Sequence, residues 1–167
     1  MNLDALFNIC YGLYVVSSKN GEKINAQIAN TVFQITPNPA TLAISIAKQN
    51  LTHEFIEKSK IFAVSIISDK WSMIEIGKFG FRSGRDIDKF ANCSYKISNN
   101  GAPIVLNNTV GYIECRVINS LDAGSHTIFL GEVTEAENLS DLTPMTYTYY
   151  HKVLRGKEPI NAPTFRG

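Results

Sequence analysis

Residues 25–52 read NAQIANTVFQITPNPATLAISIAKQNLT, and the way this stretch changes character twice decides the fold. Its first part, Asn25-Ala26-Gln27-Ile28-Ala29-Asn30-Thr31, is extended in pattern and built of small and polar side chains. Pro37-Asn38-Pro39 then interrupts the chain, because proline fixes its own φ and lacks an amide hydrogen. Residues 41–47 form a strongly apolar strand that runs into Lys48-Gln49-Asn50-Leu51-Thr52, a cationic, amide- and hydroxyl-rich helix start. Small side chains let a flat ligand approach backbone amides, and a helix start beside a lysine suits a phosphate. Strand, break, strand and helix in this order point to a nucleotide-like cofactor. A plain half-buried strand and a surface lysine would write much of the same pattern, so the rest of the chain has to decide.

Upstream, residues 9–18 (ICYGLYVVSS) are rich in aromatic and β-branched side chains and end at Lys19-Asn20-Gly21, a turn signal. Residues 23–36 extend again, so the two segments are expected to form a hairpin. Downstream, Asn50 is expected to cap a helix over 51–59 with Leu51, Phe55 and Ile56 on one face. Residues 61–67 (IFAVSII) make a fourth strand, and Ser68-Asp69 is expected to open a helix over 70–79 carrying Trp71, Ile74 and Lys78. A polar glycine loop, Gly80-Phe81-Arg82-Ser83-Gly84-Arg85-Asp86, follows. Strands are expected over 103–106, 109–119 and 125–136, the last two joined at Asp122-Ala123-Gly124. The tail, residues 145–155, carries Tyr147, Tyr149 and Tyr150 and is expected to dock, as strand or helix. Six or so strands, two short helices and no βαβ alternation predict a mostly antiparallel β-barrel in a single domain over 1–167.

Composition narrows the function. The chain has 167 residues, 44% apolar and 19% charged, with a formal net charge of +1, which gives no electrostatic reason to expect nucleic acid or an anionic membrane as partner. No apolar run approaches the ~20 residues of a spanning helix. Cys10, Cys93 and Cys115 are odd in number and far apart, and His53, His126 and His151 lack a metal-binding spacing, so neither a disulfide framework nor a metal site is expected. The start, MNLDALFNICYG, has no basic lead into an apolar run, and with the free cysteines this implies a reducing, cytoplasmic location.

Missing motifs matter as much. Neither G-x-G-x-x-G nor G-x-x-x-x-G-K-[ST] occurs, and there is no G-x-S-x-G elbow. Chemistry carried by a cofactor fits better than hydrolysis by side chains alone. Two further sites stand out. The loop from Arg82 to Lys89 holds Arg82, Arg85 and Lys89 against Asp86 and Asp88, which suits internal ion pairing or anion binding. His126 opens an apolar strand, where a histidine serves as a structural hydrogen-bonding residue more often than as a catalytic one.

These strings combine into a resemblance. NAQIANTVFQIT with its proline break and AISIAKQNLTHEFI, then FGFRSGRDIDKF, then GYIECRVINSLDAGSHTIFLGEV, follow in order. They resemble the flavin segment, phosphate turn, glycine-rich loop and paired late strands of the flavin reductase-like family, the FMN-binding split barrels. TYTYYHKVLRGKEPINAPTF resembles the tail of members joined to a rubredoxin. The resemblance implies a split antiparallel β-barrel with short helices, FMN bound non-covalently (FAD in some members), NAD(P)H as co-substrate, and a homodimer with the flavin near the interface. It implies the isoalloxazine ring against Ala26, Gln27, Ile28, Ala29, Asn30 and Thr31, with ribityl and phosphate on Ser45, Lys48, Asn50 and Thr52. Arg85, Lys89 and His126 would close the pocket or balance the reduced flavin, His126 being the candidate catalytic residue. No cysteine follows Cys115, so the Cys-x-x-Cys pairs of a fused rubredoxin are missing, and electrons are expected to leave to a separate rubredoxin, another acceptor or free flavin. A flavoredoxin-like carrier without direct nicotinamide use, and a non-catalytic flavin-binding module, are the alternative readings.

Overall fold

Gly21, at φ +59°, makes a two-residue turn between β1 (Tyr14–Asn20) and β2 (Lys23–Ala29), which pair antiparallel with Asn20 opposite Lys23. The computed structural model describes residues 1–165 and continues with β3 (Val32–Pro37), β4 (Ala40–Ala47), α1 (Leu51–Ser59), β5 (Ile61–Ile67) and α2 (Met73–Gly80). The second half holds β6 (Tyr95–Ile97), β7 (Pro103–Val105), β8 (Thr109–Asp122), β9 (His126–Asn138) and α3 (Tyr147–Lys152). A short 3-10 turn, Leu3–Asn8, precedes them.

Seven strands form one sheet in the order β2-β1-β5-β8-β9-β4-β3, every pairing antiparallel. Its two edges, β2 and β3, are joined by only Asn30 and Thr31. Ala29 and Val32 therefore lie within about 11 Å of each other, three Cα–Cα steps of about 3.8 Å. A seven-stranded sheet whose outer strands meet this closely has to curl into a barrel that stays split along that seam. Register shifts at Glu114/Cys115, Val117/Asn119 and Ile66/Ile67 supply the local bends. This is the mostly antiparallel split β-barrel with short helices that the sequence predicts.

Inside the barrel Val16, Ile44, Ile46, Phe62, Val64, Cys115 and Phe129 are fully buried. A second cluster lies under α2 and α3, where Trp71, Phe79, Met145 and Tyr150 close over Leu13, Val15 and Ala26. The indole of Trp71 donates to the Asn107 carbonyl at 2.7 Å, so the ring is buried without an orphaned donor. Tyr150 is 3% exposed, and the docked tail is helical rather than extended.

Several boundaries differ from the expectation, each for a physical reason. The extension over 23–36 is two strands, because the Val32 amide turns back on the Asn30 carbonyl and the Thr31 hydroxyl donates to Asn30 Oδ1. α2 opens at Ser72 rather than Ser68, since Ser72 and Glu75 form a reciprocal capping box that Ser68-Asp69 lacks. α1 spans the residues predicted, yet Asn50 makes no side-chain cap bond, and Thr52 replaces Leu51 among its buried residues beside Phe55 and Ile56. Among the described residues there are nine strands rather than six or so, with β6 and β7 forming a separate two-stranded sheet.

Candidate functional site

β2 alternates, and that alternation builds one wall of a cleft of about 420 Å³. Ile24, Ala26 and Ile28 pack toward the cluster beneath α2, while Asn25, Gln27 and Ala29 face the other way. Ser45 and Ala47 of β4, the first turn of α1, the loop 81–85 and the tail segment 157–163 supply the remaining walls. Asn25 is 3% exposed and its amide donates to Thr52 Oγ1 at 2.8 Å, Thr52 itself being buried. This neutral bond locks β2 to α1 at the floor of the cleft.

The Asn50 amide spans the cleft instead of capping its helix. It donates to Gln27 Oε1 at 3.1 Å and accepts from Asn161 Nδ2 at 2.8 Å. The His53 amide turns to the Asn50 carbonyl at 3.1 Å, and with the side-chain cap unused the Leu51 and Thr52 amides keep their donors for another acceptor. The loop 81–85 comes down on the same place. A Cβ on Gly84 would overlap the Asn25 side-chain oxygen and stand 2.8 Å from its Cγ and 3.2 Å from Leu51 Cδ2, so only glycine permits this approach. The helix start, the glycine loop and β2 thus meet around Asn25.

Positive charge is distributed unevenly about this cleft. Arg85 reaches α1, donating from Nη1 to the Gln49 carbonyl and from Nη2 to Glu54, both at 3.3 Å. Lys89 is 5% exposed and donates to the carbonyls of Ala26 and Phe79, each at 2.9 Å. Burial pulls its pKa down to about 8. Two of its three hydrogens are thereby committed to β2 and to the end of α2, and the third is free where Lys89 lines the cleft. Arg82 and Lys157 also line it, without a side-chain partner among the described residues.

Residues 6–158 match the flavin reductase like domain. The chain belongs to the flavin reductase-like family. It is 49% identical to a high molecular weight rubredoxin of Moorella thermoacetica over 99% of this chain and 72% of that one. It is 39% identical to a ferric-chelate reductase (NAD(P)H) of Archaeoglobus fulgidus, over 99% of this chain and 98% of the relative. Among solved structures, the NADH:FAD oxidoreductase of Streptomyces globisporus superposes with a TM-score of 0.77 at 23% identity, covering 85% of this chain and 84% of that one. A flavin reductase complexed with NADP+ superposes with a TM-score of 0.74 at 21% identity, covering 86% and 89%. At those identities the two structures speak for the fold alone.

In this flavin reductase-like chain the cleft gathers Gln27, Ile28, Ala29, Asn30, Ser45, Asn50, Thr52, Arg85 and Lys89 from the residues singled out in the sequence. Four others lie outside it. Ala26 is fully buried and offers only its carbonyl, to Lys89, while Thr31 donates its hydroxyl back to Asn30. Lys48 is drawn away to Asp122 at 2.6 Å, at the tip of the β8–β9 hairpin. His126 sits one residue behind the wall. Its Nε2 donates to the Asn161 carbonyl at 3.2 Å and its Nδ1 accepts from Ser125 at 2.9 Å, so it holds the tail. Lys48→Ala is accordingly expected to leave FMN affinity within about threefold of wild type, because an exposed pair contributes little and lies outside the cleft; fluorescence titration of FMN measures this.

The sequence reading missed Asn25, Ser83, Gly84, Tyr147 and Asn161 as cleft residues. For Asn25 the signal was present, two residues before Gln27 on the same face of a strand. For Asn161 nothing in its neighbourhood says which surface the tail crosses.

Proposed function

We propose that this chain holds FMN non-covalently in the cleft, accepts electrons from NAD(P)H and passes them to a separate acceptor. It is, on this reading, an NAD(P)H-dependent flavin oxidoreductase acting as one domain over its length. The observation that carries the reading is the uncapped first turn of α1, with Arg85 beside it, at one end of a roughly 420 Å³ cleft whose other wall is the small-residue strand β2. The donor set fits the cofactor: amides and guanidinium for a phosphate, and a strand wall of Ala29 beside the Gln27 and Asn30 side chains for a ring with a polar edge.

A bound flavin would supply the redox chemistry, namely hydride acceptance from a nicotinamide and later release of electrons. The protein binds and orients. Gln27, Ile28 and Ala29 would carry the ring and Asn30 its polar edge, with Ser45 and Asn50 toward the ribityl chain. Thr52, the α1 amides, Ser83 and Arg85 would hold the phosphate. Lys89, lining the cleft, would place a positive charge near the ring and favour an anionic reduced form. His126 acts through Asn161, as a positioning residue for the tail, rather than as an acid or base.

A homodimer is supported by an apolar strip on the outer face of the sheet. Phe33, Ala43 and Leu130 form one row across β3, β4 and β9, and Ser45, Ile128 and Leu121 form the next, on the side opposite Ile44 and Phe129. Phe33 is 51% exposed and Leu121 63%, and the strip runs up to the cleft residue Ser45. A second copy seated there would stand near the flavin. Cys10, Cys93 and Cys115 are all free, Cys115 being buried with its pKa pushed up to about 12, which supports a reducing cytoplasmic setting. No helix among the described residues is long and apolar enough to cross a membrane.

The test is anaerobic. FMN-loaded protein mixed with NADH or NADPH is expected to lose its yellow absorption within one turnover. A flavin-loaded protein that dithionite bleaches and neither nicotinamide does would make it a carrier reduced by another protein.

A further inference from the structure

We infer that a groove beside α3 is the docking surface for a small acidic one-electron carrier of the rubredoxin type, with the Tyr147 ring standing between that carrier and the flavin cleft. The inference rests on the proposed transfer to a separate acceptor and says where that acceptor binds.

The groove, of about 210 Å³, lies between the first residues of the chain, Tyr11 and α3. Tyr147 lines both it and the flavin cleft. Its ring is fixed on all sides. Tyr11 meets it edge-on at 5.8 Å and His151 at 4.3 Å, while its hydroxyl engages Thr164 at 2.7 Å and Glu158 at 3.1 Å. A partner in this groove is thus one aromatic ring from whatever occupies the cleft.

The rim has the character of a transient redox interface. Leu6 and Ile9 line it about half exposed and give an apolar centre, and Val153, exposed, follows Lys152 at the end of α3. Lys152, Arg155 and Lys157 are exposed, and no described side chain pairs with them. The turn after α3 folds back on itself, with the Gly156 amide on the Tyr150 carbonyl and the Gly156 carbonyl on His151 Nδ1, so these cations stay at the end of α3. The acid in this run, Glu158, is engaged by Tyr147 and lies 3.4 Å from His151. Three cations on six residues of a chain with net charge +1 form a local positive rim, which steers an acidic partner and repels a basic one. The relative named as a rubredoxin matches all but 1% of this chain and is longer than the matched span, which favours a carrier of that chemistry over other acidic proteins.

Electrons balance across such a contact. One NAD(P)H becomes NAD(P)+, giving two electrons and one proton. Two ferric carriers dock in turn, each taking one electron to become ferrous, and the proton goes to solvent.

The experiment uses FMN-loaded protein, a purified acidic rubredoxin, and the double variant Lys152→Glu/Arg155→Glu. Rubredoxin affinity is read by amide chemical shifts, and its reduction by stopped flow. The expected result is shift changes on addition of rubredoxin, and about a tenfold loss of affinity and of second-order rate both in the variant and in wild type on raising salt from about 20 to about 300 mM. FMN absorption and bleaching by NAD(P)H should be unchanged. Equal affinity and rate for variant and wild type, or no binding, overturns the proposal. Reducing the protein with dithionite separates this from the nicotinamide reading: charge-sensitive transfer without NAD(P)H bleaching would retire the donor and keep the docking site.

Discussion

Lys89→Met is expected to cost the protein roughly 2–4 kcal/mol of stability, because it leaves two buried carbonyls without a donor at about 1–3 kcal/mol each, partly offset by removing the cost of burying the ammonium. The carbonyls are those of Ala26 and Phe79, through which Lys89 ties β2 to the end of α2. For a chain of this length such a loss lowers Tm by about 5–15 °C, readable by calorimetry. FMN affinity should fall by at least about tenfold as well, since the loop leading to Arg85 loses its tether to β2. The pH dependence carries a sign that identifies the group. The folded pKa, near 8, lies below the ordinary lysine value of 10.5. Below pH 8 the ammonium exists in both states, and its burial cost is borne by the fold. Between about 8 and 10.5 the unfolded chain binds the extra proton, so wild-type stability rises with pH relative to the variant. Affinity for reduced FMN should move the other way, falling above pH 8 as the positive charge disappears. A flat difference between wild type and variant through that window would remove Lys89 from both roles.

Gly84→Ala should be nearly as damaging to cofactor binding and much less so to folding. Its Cβ overlaps the Asn25 amide, which must then give up Thr52 Oγ1 or push the loop outward. Either outcome spoils the corner where the phosphate is proposed to sit. Losing a buried bond of about 1–3 kcal/mol corresponds to roughly 5- to 150-fold in FMN affinity. Gly77→Ala provides the contrast. That glycine lies inside α2 with open space where its Cβ would go, so the change should stabilise by about 0.5–1 kcal/mol and leave FMN binding intact. Comparable affinity in the two variants would mean that the Gly84 approach does not shape the site.

Much of this architecture was legible before any coordinates. The Asn20-Gly21 turn, the strand over 61–67 and the helix over 51–59 are local events, decided by turn chemistry and side-chain period, and the residues named fall where expected. The start of α2 was misread because Ser68-Asp69 and Ser72 both look like caps, and only the reciprocal Ser72–Glu75 bonds distinguish them. Lys48 lies outside the cleft, and Asn50 lines it without capping α1, for a longer-range reason. Their neighbours in sequence suggest a phosphate turn, but the partners that claim their side chains, Asp122, Gln27 and Asn161, arrive from other parts of the chain.

The sequence by itself determined that β2 is a strand of small residues, that a helix begins at Leu51 and that a glycine-rich loop follows α2. Tertiary structure decided which of these touch. The two-residue link at Asn30-Thr31 curls the sheet until its edges meet, and that closure, a property of the whole strand order, brings the first turn of α1, Gly84 and Asn161 to one cleft. Local pattern fixes what a segment is, because its interactions span a few residues. Which charge faces the cleft, Arg85 or Lys48, depends on competitors over thirty residues away in the sequence, and only the folded chain sets that competition.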